Sequence, residues 1–382
     1  MKKVIFGTAL ASMALLSACS SDNELANVET TANNAIGFHV VGNKAETRAN
    51  IIGADNITST DFNVFAFTRN EDGTDGTIFM GEKANQLGQK GIKIVNKSGE
   101  WDYANDADIH YWPANTALNF YAVSPGSFEK VEENMEMTNV YGWNINNNTK
   151  TISYSPLDEY AGRTDKKNLD VMYAIAPNQT QTKENGGRVK FQFKHILSQV
   201  VFKAKTQLEN MEVEINEIKI HNPWTKGTYT LPKTSSEKGT WELTAPGSKW
   251  GAFTVVTGKK ITVTSNGADI SVDGPMLFVP QELTAWDVKK TKAEADTEHQ
   301  VYLEITCKIK QETEYVFGSA TEYKTLYVPF GQTWEQGKRY TYTLIFGGGY
   351  DDHGLPILQP INFEAVAGNW EEANATDIDV NK

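Results

Sequence analysis

The chain has 382 residues, 40% hydrophobic and 22% charged, with 48 Asp plus Glu against 36 Lys plus Arg and only two cysteines. A net charge of −12 repels phosphate backbones and argues against a nucleic-acid partner, while two cysteines supply neither a disulfide framework nor a thiolate zinc cluster. The six histidines (His39, His110, His195, His221, His299 and His353) stand apart with no HExxH or other close pairing, so no metal or cofactor is read from them.

The N-terminus carries the most specific signal. Lys2 and Lys3 precede an apolar run from Val4 to Leu16, which suits a secretory signal and is too short for a spanning helix of about 20 residues. Leu16-Ser17-Ala18-Cys19 resembles a bacterial lipobox, which makes residues 1–18 a lipoprotein signal peptide and Cys19 the lipidated first residue of the exported chain. An ordinary signal peptide with an incidental cysteine is the alternative. More than one acyl chain gives stable anchoring. Ser20 stands where an inner-membrane retention signal would place Asp, so the expected address is the outer membrane, and the acidic Asp22 and Glu24 resemble a surface-export signal. Cys307, inside the alternation Tyr302–Ile309, reads as a small buried hydrophobe.

Residues 19–34 are polar and read as a tether. Ile36, Phe38 and Val40 then alternate with Gly37 and His39, the period-2 pattern of a half-buried strand. The pattern returns at Phe62–Phe67, Ala117–Val123, Val189–Phe193, Met211–Ile215, Ile261–Thr264, Tyr302–Thr306 and Tyr340–Phe346. Turn signals at Asp72-Gly73, Asp75-Gly76, Asn185-Gly186-Gly187, Asn266-Gly267 and Asp273-Gly274 separate the runs. Long amphipathic helical windows are missing, so the expected class is all-β, with β-sandwiches rather than an α/β enzyme fold. The polar stretch 178–188 reads as a boundary between an N-terminal sandwich, residues 35–180, and a C-terminal one, residues 187–382. Pro356 and Pro360 place the run Leu355–Val366 at a sheet edge or outside a sheet.

Enzyme motifs fail on spacing. Gly331–Arg339 has one residue too many between its glycines for a P-loop, has Arg339 where Ser or Thr would hold Mg²⁺, and runs into a strand. No G-x-S-x-G elbow is present, and Gly347-Gly348-Gly349 lacks dinucleotide spacing. Asn70–Gly76 and Asp102–Asp108 lack the closing Glu of a calcium loop and read as solvated turns. His195, among Phe193, Ile196 and Leu197, reads as a hydrogen-bonded structural histidine. Trp101, Trp112, Trp143 and Trp224 border polar loops and are candidates for a sugar-stacking surface.

Several segments in order resemble the fimbrillin family, the Mfa-like and FimA-type subunits of type V pili. They are the lipobox, an early strand ending in Lys44-Ala-Glu-Thr-Arg48, Tyr111-Trp112-Pro113 followed by Leu118–Pro125, Asp170–Ala174, Phe191–Phe202, Gly274–Pro280 and Trp334–Thr343. The resemblance implies two tandem transthyretin-like β-sandwich domains and a non-enzymatic lipoprotein precursor that reaches the cell surface. There a trypsin-like or Arg-specific protease would cut after an arginine beyond the first strand. Arg48 is the candidate, with Ala49 as the new first residue, and the released strand would be Ala35–Val41 with its apolar face Ile36, Phe38 and Val40. A surface arginine in a permanent loop is the other reading of Arg48. An opened sandwich exposes unpaired backbone and apolar pockets, and strand addition satisfies both. A C-terminal segment supplies the inserting strand in the family, and Ile361, Phe363 and Ala365 alternate suitably. The implied partners are other fimbrial subunits, the outer membrane through the lipid, and host glycans or proteins. A monomeric, lipidated surface protein that binds glycans is the alternative function. Residues 1–48 carry Lys2, Lys3, Lys44 and Arg48 against Asp22, Glu24, Glu29 and Glu46, so the net charge resides wholly in the part that cleavage would leave.

Overall fold

Alternating apolar and polar residues, rich in β-branched and aromatic side chains, favour extended backbone. The computed structural model describes residues 34–41, 60–84, 89–126, 141–155, 162–163, 169–244, 252–271, 274–347, 362–369 and 378–379. In chain order the first strands are β1 (Gly37–Val41), β2 (Asp61–Arg69), β3 (Asp75–Met80), β4 (Ile92–Lys97), β5 (Glu100–Tyr103), β6 (Leu118–Ser124), β7 (Tyr141–Ile145), β8 (Lys150–Tyr154) and β9 (Gly162–Arg163). They are followed by β10 (Met172–Gln179), β11 (Arg188–Gln192), β12 (Lys194–His195), β13 (Ser198–Thr206), β14 (Met211–His221), β15 (Lys226–Thr230), β16 (Thr240–Thr244), β17 (Ala252–Val263) and β18 (Ala268–Asp269). The last are β19 (Met276–Phe278), β20 (Gln281–Glu282), β21 (Tyr302–Gln311), β22 (Glu314–Phe317), β23 (Lys324–Pro329), β24 (Thr333–Trp334), β25 (Lys338–Phe346), β26 (Asn362–Asn369) and β27 (Ile378–Asp379). Among the described residues there is one short α-helix, α1 (Lys292–Thr297), which starts at a capping box in which the Thr291 hydroxyl accepts from the Glu294 amide and the Glu294 carboxylate accepts from the Thr291 amide.

The largest sheet runs β11-β1-β5-β4-β2-β6-β10-β12, with β3 beside β2. Its two end strands are consecutive in the chain, separated by Phe193 alone, so connectivity curls the sheet until its ends meet. Inside the curl lie Phe38, Phe62, Val64, Ile94, Phe120, Val189 and Phe191. The outer face is covered too: Phe65, Phe67, Tyr121 and Val123 pack with Ile152 and Tyr154 of β8 and Tyr229 of β15. The sequence pattern predicts half-buried strands here, but β2 and β6 are buried along most of their length because a second sheet, β16-β15-β8-β7, supplies residues that cover the other face. Their own composition agrees, since Asn63, Asn119 and Ser124 are the polar residues within them that are fully enclosed, and Asn119 donates to Asp75 while Ser124 donates to Asp61 O.

The second core lies between two further sheets. In one, β13 runs parallel to β25, with Gln199–Thr206 registered against Arg339–Phe346. In the other, β14 is flanked by β17 and β21. Val200, Phe202, Tyr342 and Leu344 meet Val213, Ile215, Ile218, Leu303 and Ile305 between them. Cys307 is fully buried in this core as a free thiol whose pKa burial pushes upward, the small-hydrophobe role read from its neighbours.

Residues Ala35–Lys382 form one compact unit. The stretch 178–188 is a turn inside the first sheet, because β11 returns from it to pair with β1. The chain leaves β12 for β13 at Ile196–Leu197. Sheets are also shared across that point, β8 pairing with β15 and β9 with β19. Asp75-Gly76 opens β3 instead of making a turn, and a Cβ at Gly76 would fall 2.5 Å from Thr68 Oγ1, which explains the glycine by close strand approach.

Candidate functional site

β1 is an interior strand. On one side it runs parallel to β11 with Gly37–Val41 opposite Arg188–Gln192, and on the other it runs antiparallel to β5 with Phe38 opposite Trp101. Its start is fixed by the Ile36 amide donating to His110 O at 2.9 Å and the Gly37 amide donating to Gly187 O at 3.0 Å. Ala35 forms an isolated antiparallel bridge to Tyr111. The Trp112 indole donates to the same Gly187 carbonyl at 2.9 Å, which a turn with Gly186 and Gly187 at positive φ presents to both.

The period-2 alternation turns Ile36 and Phe38 inward, at 0% and 1% exposure, and leaves His39 outward. Val40 is half-buried against the same core. The Phe38 ring stacks on Phe191 at 6.1 Å between centroids and meets Phe62 and Tyr103 edge-on at 6.1 and 5.6 Å. Phe62 in turn contacts Trp101, Phe191 and Phe193. Burial pushes the Tyr103 hydroxyl up to about 12, so it stays neutral beneath the strand. Burying Ile36 and Phe38 is worth about 2–3 kcal/mol each.

On the outer face, Arg188 Nη1 of β11 reaches Glu100 Oε2 of β5 at 2.9 Å, and β1 lies between those two strands. The acidic run Asp102–Asp108 is no cation loop. Asp102 ends in β5 and pairs with Lys97, and Asp106–Asp108 form a 3-10 turn capped by Asn105. Among the described residues no group of three His, Cys, Asp or Glu is placed to hold a metal ion. The Gly331–Arg339 segment carries β24 and then a turn at Gln336-Gly337 into β25.

The proposed proteolytic and lipid positions Cys19, Arg48 and Ala49 lie outside the described residues, as does Ile361. Phe363 lies in β26 opposite Leu344, and Ala365 is buried in the second core opposite Tyr342. Trp101 and Trp112 are corrected from sugar-stacking candidates to walls around β1, because both are buried. Trp143 and Trp224 pack partly against the cluster on the outer face of the first sheet, Trp143 donating to Lys90 O and Trp224 lying against His299. His195 is buried with Nδ1 2.9 Å from Asp170 Oδ1, the structural role expected.

Two features escaped sequence reading. β5 was legible from Glu100-Trp101-Asp102-Tyr103, a strict period-2 alternation overshadowed by its acids. The buried pair Lys150–Asp75, at 2.6 Å with Tyr121 and Asn119 also donating to Asp75, joins residues far apart in the chain and had no local signal.

A family model described as Fimbrillin-like matches residues 47–370, from just past β1 to the end of β26. Among solved structures the chain is similar to a fimbrial protein from Bacteroides vulgatus, with a TM-score of 0.58 at 16% identity, covering 88% of this chain and 100% of that one. That likeness is one of fold. The chain is also similar to the fimbrial anchor protein Mfa2 from Porphyromonas gingivalis, with a TM-score of 0.35 at 10% identity, covering 90% of this chain and 98% of that one. No curated protein sequence matches it.

Proposed function

The chain belongs to the Fimbrillin-like family, and on that premise we propose that it is a subunit of a cell-surface fimbrium, polymerised by strand exchange after proteolysis. It is exported as a lipoprotein through Cys19 to the outer membrane, cut between Arg48 and Ala49, and joined to other fimbrial subunits when a neighbour's strand takes the place of β1.

The observation that carries the reading is the position of β1, an interior strand at the N-terminal end of the fold whose removal opens the sheet between β11 and β5. The gap would expose one backbone row on each side and the pockets of Ile36 and Phe38, and an incoming apolar strand satisfies all of them at once. Proteolysis removes the competitor, so burial alone drives assembly. The choice of arginine follows from the same folding. Arg69, Arg163, Arg188 and Arg339 stand in β2, β9, β11 and β25, where ladder hydrogen bonds keep the backbone from a protease cleft that needs an extended, open segment. Arg48 is the remaining arginine of the chain.

The donor side is the C-terminal segment bearing Ile361, Phe363 and Ala365. β26 sits near the border of its sheet, with β25 on one side and, among the described residues, the two-residue β27 on the other. Purified full-length chain treated with an Arg-specific protease forms SDS-resistant ladders, and Arg48→Ala chain stays monomeric. A trimmed protein that remains a clean monomer overturns the assembly reading.

A further inference from the structure

The groove under β1 has walls of opposite charge on its outer face. β11 presents Arg188 and Lys190, and β5 presents Glu100 and Asp102. Neighbouring strands lie about 4.8 Å apart, so β11 and β5, with β1 between them, are separated by about 9–10 Å. The Arg188–Glu100 ion pair bridges that distance, which requires its side chains to cross the outer surface of β1.

They cross at Gly37. Gly37 is the register partner of Arg188, and a Cβ built on it would sit 3.0 Å from Arg188 Cγ and 3.8 Å from Nε. The aliphatic stem of the arginine therefore lies directly on the glycine. Gly37 has no positive φ to explain its identity, and glycine in a strand interior is ordinarily unfavourable beside a β-branched residue. The space above its Cα is what the residue supplies.

Resting on the strand-exchange reading, we propose that Arg188 and Glu100 form a strap that closes over the strand occupying the groove and selects an incoming strand with glycine at the Gly37 position. The occupant is an extended segment of a different fimbrial subunit with the pattern apolar-Gly-apolar-x-apolar, the chemistry that Ile36-Gly37-Phe38-His39-Val40 already shows there; this chain's own Ile361-Asn362-Phe363 carries Asn362 at the glycine position, so it serves another subunit's groove and is disfavoured in a groove of this kind. Apolar residues at alternate positions fill the pockets of Ile36 and Phe38. The glycine fixes register, because a slip by two residues keeps the apolar face inward but places a side chain under the strap.

The test uses the full chain nicked by an Arg-specific protease and two synthetic peptides, Asn33–Asn43 with the native sequence and the same peptide carrying Gly37→Val. Displacement of the bound N-terminal fragment reports occupancy. The native peptide should bind roughly fivefold tighter than the valine peptide, the size of a lost exposed ion pair. In Glu100→Gln and Arg188→Met chains the preference should vanish or invert, because valine favours extended backbone once the strap is gone. Equal discrimination in the native and the strapless chains overturns the strap while leaving strand exchange intact. Displacement by neither peptide overturns strand exchange, and the proposal with it.

Discussion

Phe38→Ala is the substitution that most sharply probes how β1 is held. The ring is 1% exposed and has Phe62, Tyr103 and Phe191 within 5.6–6.1 Å, all carried by strands of the curled sheet. β2 and β5 are hydrogen-bonded on both sides and β11 is tied to β1, so these walls collapse poorly into a vacated volume and the loss falls in the middle of the Phe→Ala range, about 4 kcal/mol. Val40→Ala, at a half-buried position on the same strand, costs only about 1 kcal/mol. Urea unfolding followed by tryptophan fluorescence measures both, since Trp101 and Trp112 line the site. In nicked chain the same 4 kcal/mol corresponds to about a thousandfold weaker retention of the N-terminal fragment. A Phe38→Ala chain within 1 kcal/mol of the native protein would refute the argument that this ring anchors the strand.

Three other outcomes follow from the structure. Asp75→Asn leaves Lys150 buried beside the Phe67 and Tyr121 rings without its carboxylate, and denaturant midpoints should record a loss of about 3 kcal/mol, partly recovered in Asp75→Asn with Lys150→Met. Burial lowers the His299 pKa to about 4 from an ordinary 6.5, so the unfolded chain takes up a proton that the folded one refuses. Stability should therefore fall as pH drops from about 6.5 to about 4, by less than about 2 kcal/mol for a half-buried ring. His299→Asn, which suits the residue's φ of 60°, should flatten that slope in pH-dependent thermal melts. Cys307 should resist thiol reagents in the native protein and react on unfolding, and Cys307→Ser should cost about 1–3 kcal/mol in the same denaturation assay.

The strands were legible because this sequence alternates cleanly. Phe38, Phe120, Val213 and Tyr342 each stand in a period-2 run, and each faces a core. What alternation conveys is which faces of a strand differ, and it is silent on how many layers cover them. β2 and β6, with Phe65, Phe67 and Tyr121 on the second face, needed the partner sheet to be understood. That the stretch 178–188 is a turn within one sheet was hidden for a related reason. Polar loops mark turns, and only the parallel pairing of β1 with β11, residues about 150 positions apart in the chain, shows which turn lies within a sheet. At the site, the apolar face of Ile36, Phe38 and Val40 could be read directly, whereas the reason for Gly37 could not. It depends on Arg188 and Glu100 approaching from two other strands.

The central claim, that β1 is a removable occupant of its groove, is tested most directly at the N-terminus of subunits in assembled fibres. Mass spectrometry of subunits sheared from the cell surface should find chains that begin at Ala49, free of residues 1–48 and of lipid. Subunits that begin at a lipidated Cys19 and still carry β1 would contradict it.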